Sequence, residues 1–402
     1  MIKATLHHLV IGGRRYINRL IHIPLPTLVT GADHISDATE LLHRHKFNNV
    51  MVVSDPQLIK LNLVQPLLDS LKQTQISYSL FDQVTPDPTI AVVEQGCELY
   101  RNESCDAIIA FGGGSVIDCA KAIGASITKN KPINKLAGLF KVRKKLPYFI
   151  AIPTTAGTGS EATLVAVITD ATARKKFTVI DPCLVPNVAL LDPALMKGLP
   201  ANITAETGID ALTHAIESYI GCHAYPLTKQ YAISAMSKIF NFLPVAYANG
   251  NNEQARAEMA IASFYAGAAF TRTSVGYVHA IAHQLGGVYH VPHGLANAIV
   301  LPHVLHFSLT NAATKLAQLA KILHMVDMDC NEQLAANTFV KRVEQLLETL
   351  NIPKHLPQLQ QADINMLAER AIKEAYCDYP VPRLMNEAQC RDILQNLLTT
   401  HS

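Results

Sequence analysis

The sequence predicts an α/β amino-terminal half built on a mainly parallel sheet, joined to an all-helical carboxyl-terminal half. Three observations carry this reading. Short β-branched runs alternate with helix-length segments through the first half. After Leu190-Leu191-Asp192-Pro193 the strand-like runs nearly vanish, and Ala-rich segments of helical period take over. At 402 residues the chain is also long for a single core, so two domains are expected.

Taken in order, Asn49 to Asp55 is a β-branched run, followed by a helical pattern from Gln57 to Gln73. Ile76 to Phe81 reads as a second strand and Ile90 to Asn102 as a helix. Asp106 to Phe111 is a buried strand, Ser115 to Thr128 a helix, and Tyr148 to Ile152 another strand. This alternation predicts a mainly parallel sheet covered on both faces. Helical segments then follow at Gly208 to Tyr219, Thr228 to Asn241, Gln254 to Thr271 and Asn311 to His324. Gly198-Leu199-Pro200 marks a hinge. The expected division is an arm over residues 1–26, a nucleotide-binding domain over 27–198 and a helical domain over 199–402.

Composition narrows the function classes. A formal charge of +2 offers no global attraction for nucleic acid. No apolar run reaches the roughly 18 residues needed to cross a bilayer. The eight cysteines form no CxxC pair and several sit in apolar segments, so they read as core thiols of a cytoplasmic protein. The first 32 residues lack Asp and Glu and carry Lys3, Arg14, Arg15 and Arg19. We read them as a cytosolic arm; a transit peptide or membrane-surface helix is the alternative.

Two loops suit a nucleotide. Gly112-Gly113-Gly114-Ser115 lies between a strand and a helix, where glycines admit a pyrophosphate to the helix N-terminus. The usual GxGxxG is absent, and a capped tight turn with Ser115 and Asp118 as a capping box explains the same residues. Thr154, Thr155 and Thr158 follow the next strand, in a loop suited to hydrogen bonding or in an ordinary turn. Asp55 ends the first strand, where a carboxylate accepts ribose hydroxyls and repels a 2′-phosphate; a solvated turn Asp is the plain alternative.

The helical half holds Asp210 and His214 four apart, on one helix face, with His279, His283 and His293 further on. One carboxylate and three imidazoles suit Fe²⁺ or Zn²⁺ and leave a net positive centre able to polarise an alcohol or carbonyl oxygen. With 17 His in the chain, spacing alone leaves scattered polar residues as an equal account. Phe264, Phe270 and Tyr277 near this motif line an apolar pocket or belong to the core.

Together, Gly112 to Asp118, Ile152 to Glu161, Thr207 to Glu217, and Val278 through Ala298 resemble the iron-containing (group III) alcohol dehydrogenase family, from about Thr27 to near the C-terminus. The resemblance implies a Rossmann-like domain, a helical domain and an active site in the cleft between them. It implies Asp210, His214, His279 and His293 as metal ligands and His283 as a proton relay near the nicotinamide. Gly112, Gly113, Gly114, Ser115, Asp118, Thr154, Thr155, Thr158 and Lys176 fall on NAD-contacting positions, and Asp55 on the adenosine ribose position of NAD-preferring members. Asp87 and Val165 depart from the Asn often found there. The implied activity is hydride transfer between NAD(H) and a small alcohol or aldehyde, with a homodimer as the family-level expectation. A glycerol dehydrogenase-like enzyme and a non-catalytic NAD-binding scaffold are the rival readings.

Overall fold

The computed structural model describes residues 7, 10–13, 21–32, 34–173 and 175–399. It divides into two compact units. The sheet unit comprises His22–Leu199 and Asn251–Gly267; the helical unit comprises Pro200–Gly250, the chain from Ala268 onward, and the first 21 residues insofar as they are described. Assigning residues 251–267 to the sheet unit is something the sequence gives no sign of. Most of the expected arm lies outside the described residues.

In the sheet unit, strands β1 (Thr27–Thr30), β2 (Asn49–Val53), β3 (Ser77–Phe81), β4 (Ala107–Gly112), β6 (Tyr148–Pro153) and β9 (Val188–Leu191) form a sheet of order β1-β9-β6-β4-β2-β3, with every pairing parallel. Alternate residues feed two apolar layers: Ile108 and Ala110 enter one, Ala107, Ile109 and Phe111 the other. Both faces are therefore covered, and this is why these strands read as unbroken apolar runs. The helices around them are α1 (Ile35–Arg44), α2 (Pro56–Lys60), α3 (Gln65–Gln73), α4 (Ile90–Asn102) and α5 (Gly114–Lys129).

Two local expectations need correction. The pattern from Gln57 to Gln73 is two helices, α2 and α3, because Asn62 is left-handed at φ 54° and Pro66 starts a new helix. A second sheet of β5 (Gly138–Leu139), β7 (Val165–Asp170) and β8 (Lys175–Ile180) was not foreseen; β7 and β8 pair antiparallel.

The chain steps from β2 outward to β3, then crosses back past β2 to β4. Strand order therefore reverses between β2 and β4, and ligands of such sheets bind at the carboxyl ends of the strands flanking that point. Asp55 follows β2 and the glycine run follows β4, so both motifs sit there. Ser54 Oγ donates to the Phe111 carbonyl at 2.8 Å and ties the two strand ends together.

The helical unit contains α6 (Ala201–Ile220), α7 (Pro226–Ala248), the last residues of α8 (Glu253–Thr273), α9 (Tyr277–Tyr289), α10 (His293–Ile322), α11 (Glu332–Thr349), α12 (Ile364–Ala375) and α13 (Glu387–Asn396). The segment expected at Asn311 to His324 is the end of the longer α10, which runs through Pro302. Of the arm, His7 Nδ1 accepts from the Cys377 N–H at 3.2 Å, and the Ile11 carbonyl lies 2.9 Å from His223 Nε2. None of the eight cysteines is in a disulfide; Cys97, Cys105, Cys119 and Cys390 are buried and Cys222 is exposed. Among the described residues, no helix is long and apolar enough to cross a membrane.

Candidate metal centre and cofactor loop

Asp210 and His214 project from one face of α6, His279 from the first turn of α9, and His293 opens α10. Gly294 makes this arrangement feasible: a Cβ there would collide with the Glu206 carbonyl, so only glycine lets α10 start against α6. One donor atom from each of the four residues lies within 4.8 Å of all the others. Asp210, His214 and His279 are buried, while the His293 side chain is 44% exposed. Asp210 Oδ1 is 3.5 Å from His293 Nε2 and 3.8 Å from His279 Nε2. Ligands about 2.1 Å from a tetrahedral ion stand roughly 3.4 Å apart; the two distances to Asp210 are close to this, and the set can close on a divalent ion by contracting from its 4.8 Å spread. The mixed set of one oxygen and three imidazole nitrogens suits Fe²⁺ or Zn²⁺.

The electrostatics agree with this. Burial, reinforced by the imidazoles of His214, His293 and His283, holds the His279 pKa well below its usual value. The ring is therefore neutral near pH 7, with one nitrogen lone pair to offer. The His214 ring stacks on Phe270 at 4.1 Å and on His279 at 4.6 Å between centroids, which fixes its plane.

Polar groups stand behind these four side chains. The Asn297 amide, one turn beyond His293, donates to Asp210 Oδ1 at 2.7 Å. His279 Nδ1 lies 2.7 Å from Glu217 Oε2, and both oxygens of Glu217 also accept backbone N–H groups. Burial pushes the Glu217 carboxyl up to about 8, opposed by those backbone bonds and reinforced by the charge of Asp210. His283 Nδ1 lies 2.6 Å from Glu374 Oε1, which also accepts the Tyr379 hydroxyl at 2.7 Å. The His283 ring stacks on His293 at 5.4 Å. Hydrogen bonding from His283, Tyr379 and Gln284 holds the Glu374 carboxyl below its usual range despite the opposing effect of burial.

Sequence reasoning assigned no role to Glu217, Asn297 or Glu374. Glu217 had a signal: Asp210, His214 and Glu217 fall at i, i+4 and i+7 on one helix face. Glu374 had none, because its partner stands 91 residues away. Of the aromatics, Phe270 is beside His214, Phe264 is fully buried in the sheet unit, and the Tyr277 hydroxyl accepts the Met385 N–H in the core of the helical unit.

In the sheet unit, Gly113 is the N-cap of α5, with Gly114 and Ser115 in its first turn. Three backbone N–H groups there have no partner within the helix and face the positive end of its dipole. Thr158 packs so closely on Gly114 that a Cβ at 114 would stand 2.8 Å from its Oγ1, and Thr155 lies against Gly113. The Thr154 N–H donates to the Gly112 carbonyl at 3.1 Å. Asp55 caps α2, with Oδ1 accepting from Gln57 and Leu58 N–H.

Asp118 is not part of a capping box. Its carboxylate accepts the Ser160 hydroxyl on one oxygen and the Val167 N–H on the other. Lys121, also unforeseen, is wholly buried and its Nζ bonds Ser160, Thr163 and Val165 oxygens at 2.6–3.2 Å, pinning the loop after β6 to α5. Lys176 pairs with Asp87 at 2.6 Å on the exposed side of the β7–β8 hairpin.

Comparison with known proteins agrees with both units. The profile of iron-containing alcohol dehydrogenases matches residues 26–193, and that of the C-terminal region of the same family matches residues 204–398. A 1,3-propanediol dehydrogenase of Citrobacter freundii is 40% identical over 86% of this chain and 90% of its own length. An NAD-dependent methanol dehydrogenase of Bacillus methanolicus is 36% identical over 93% of this chain and 98% of its own. The crystal structure of a 1,3-propanediol oxidoreductase superposes with a TM-score of 0.91 at 36% identity, covering 94% of this chain and all of that one. The chain belongs to the iron-containing alcohol dehydrogenase family.

Proposed function

We propose that Asp210, His214, His279 and His293 hold a divalent ion, Fe²⁺ rather than Zn²⁺, in an enzyme that moves hydride between NAD(H) and a small alcohol or aldehyde. The observation that carries this is the convergence of one carboxylate and three imidazoles within 4.8 Å. When bound, the ion supplies a net charge of about +1 that polarises a substrate oxygen, and the nicotinamide gives or takes the hydride. The N–H groups at Gly113–Ser115 bind the pyrophosphate, Asp55 takes the adenosine ribose, and Thr154, Thr155, Thr158, Asp118 and Lys176 shape the rest of the cofactor site. His283, its Nδ1 held by Glu374, carries a proton at Nε2 between substrate and solvent. The methanol and propanediol relatives support a short-chain substrate. Eight cysteines without a disulfide support a cytoplasmic location, and a homodimer is the simplest closed assembly.

The test is NADH oxidation against a panel of short aldehydes, beside elemental analysis of protein purified without oxygen. Turnover is expected, with Fe²⁺ plus reductant restoring metal-stripped protein better than Zn²⁺. Equal recovery with Zn²⁺ would end the iron assignment and leave the four ligands standing. NADH binding without turnover of any aldehyde would overturn the enzymatic reading.

A further inference from the structure

The best-built group outside the four ligands is Glu217. Its side chain is 4% exposed, receives two backbone N–H groups and meets an imidazole nitrogen, all from one short stretch of chain. Gly276 N–H donates to Oε2 at 2.7 Å, Val278 N–H donates to Oε1 at 2.8 Å, and His279 Nδ1 stands 2.7 Å from Oε2. The carboxylate thus sits across the N-terminus of α9, where the helix dipole and the unpaired N–H groups favour an anion. Room for it depends on Gly276, since a Cβ there would stand 2.6 Å from Oε1.

A neutral imidazole carries one proton, and the nitrogen that holds it cannot bind an ion. The Gly276 and Val278 N–H groups already engage both oxygens of Glu217 as acceptors, so we place the proton shared between Oε2 and Nδ1 on Nδ1, which leaves the lone pair on Nε2. Nε2 is the nitrogen that faces Asp210 Oδ1 at 3.8 Å, inside the cluster. Glu217 is also on α6 with Asp210 and His214, so the same side chain ties α9 to the helix that bears the other two buried ligands.

We infer that Glu217 is a positioning residue of the metal centre: it sets the tautomer and ring orientation of His279, and Gly276 is glycine to admit it. This rests on the four-ligand reading above. Carboxylates placed behind ligating histidines change metal affinity by about ten- to a hundredfold when removed.

The experiment uses the full chain, stripped of metal, with Zn²⁺ as probe in competition with a chromophoric chelator. Glu217→Gln keeps the volume but turns an amide NH₂ toward N–H donors. Gly276→Ala keeps the carboxylate and displaces it. Both variants should bind Zn²⁺ about ten- to a hundredfold more weakly, with NADH affinity, read by fluorescence, unchanged within about twofold. ¹⁵N-histidine spectra of the Zn²⁺-loaded native protein should show His279 protonated at Nδ1, and this reading needs no variant to fold. Native Zn²⁺ affinity in both variants, alongside loss of Zn²⁺ in His279→Ala, would overturn the inference alone. So would a native His279 protonated at Nε2. Retention of Zn²⁺ by His279→Ala would remove the four-ligand reading and the inference with it.

Discussion

The sheet unit and the helical unit organise their chemistry on different parts of the chain. In the sheet unit the groups proposed to meet the cofactor are mostly backbone N–H and short hydroxyls on loops contiguous in sequence, at Gly113–Ser115 and Thr154–Thr158. Their precision comes from close approach, as where Thr158 closes over Gly114. In the helical unit the groups proposed to meet the ion and the substrate are side chains on α6, α9 and α10, and Asp210, His279 and His283 are each braced by a partner distant in sequence. A backbone site is sensitive to added bulk, whereas a side-chain site is sensitive to deletion. Each unit should therefore fail separately, and the variants below test that.

The largest effect is expected from His279→Ala. Removing a buried ligand should abolish stable metal binding and lower kcat/KM on the order of a thousandfold or more, because the ion supplies several kcal/mol of charge stabilisation. NADH affinity should stay within about threefold, given that the phosphate loop belongs to the other unit. Full metal occupancy by elemental analysis would strike His279 from the ligand set. A parallel collapse of NADH binding would break the proposed independence of the two units.

Gly114→Val inverts that experiment. The added atoms must enter space held by Thr158, 2.8 Å from the first of them, at the turn proposed to take the pyrophosphate. NADH binding should weaken about ten- to a hundredfold, while Zn²⁺ affinity stays native. Unchanged NADH affinity would show that the loop is only a tight turn.

The same contrast explains what the sequence revealed. The strands around Val50–Val53 and Ile108–Phe111 were legible because burial on both faces demands unbroken apolar residues. The cluster of Asp210, His214, His279 and His293 was legible because two of its members sit four apart on a helix, and because the ordered motifs around them matched a family. The β7–β8 hairpin was not, since Lys175, Lys176 and Asp170 give it the polarity of a surface loop. Lys121 and Asn297 were also opaque. Each is a polar residue in an apolar helix, and only tertiary packing decides whether it faces water or five oxygens, as Lys121 does. Asp118 is not the capping residue that S-x-x-D suggests: the helix starts at Gly114 and the carboxylate turns to Val167 instead.

The smallest effect is expected at Asp55, where one residue has two tasks that can be separated. Its Oδ1 caps α2 through Gln57 and Leu58 N–H, leaving Oδ2 for the ribose hydroxyls proposed above. Asp55→Ala would confound the two, because losing the cap costs about 1 kcal/mol. Asp55→Ser and Asp55→Asn retain a capping oxygen and discard the charge, so stability should stay within about 0.5 kcal/mol of native. The native enzyme should prefer NADH to NADPH, because a carboxylate beside the 2′-position repels its phosphate. In both variants the ratio of kcat/KM for NADH over NADPH should fall about five- to tenfold, chiefly through improved NADPH binding as repulsion is relieved. The two variants differ in reach, so agreement between them would assign the effect to charge rather than shape. A native enzyme that already uses NADPH as well as NADH would refute this placement of Asp55, leaving it as a helix cap alone. The sheet unit would then owe its cofactor contacts to backbone and hydroxyl groups without a charged side chain at the ribose.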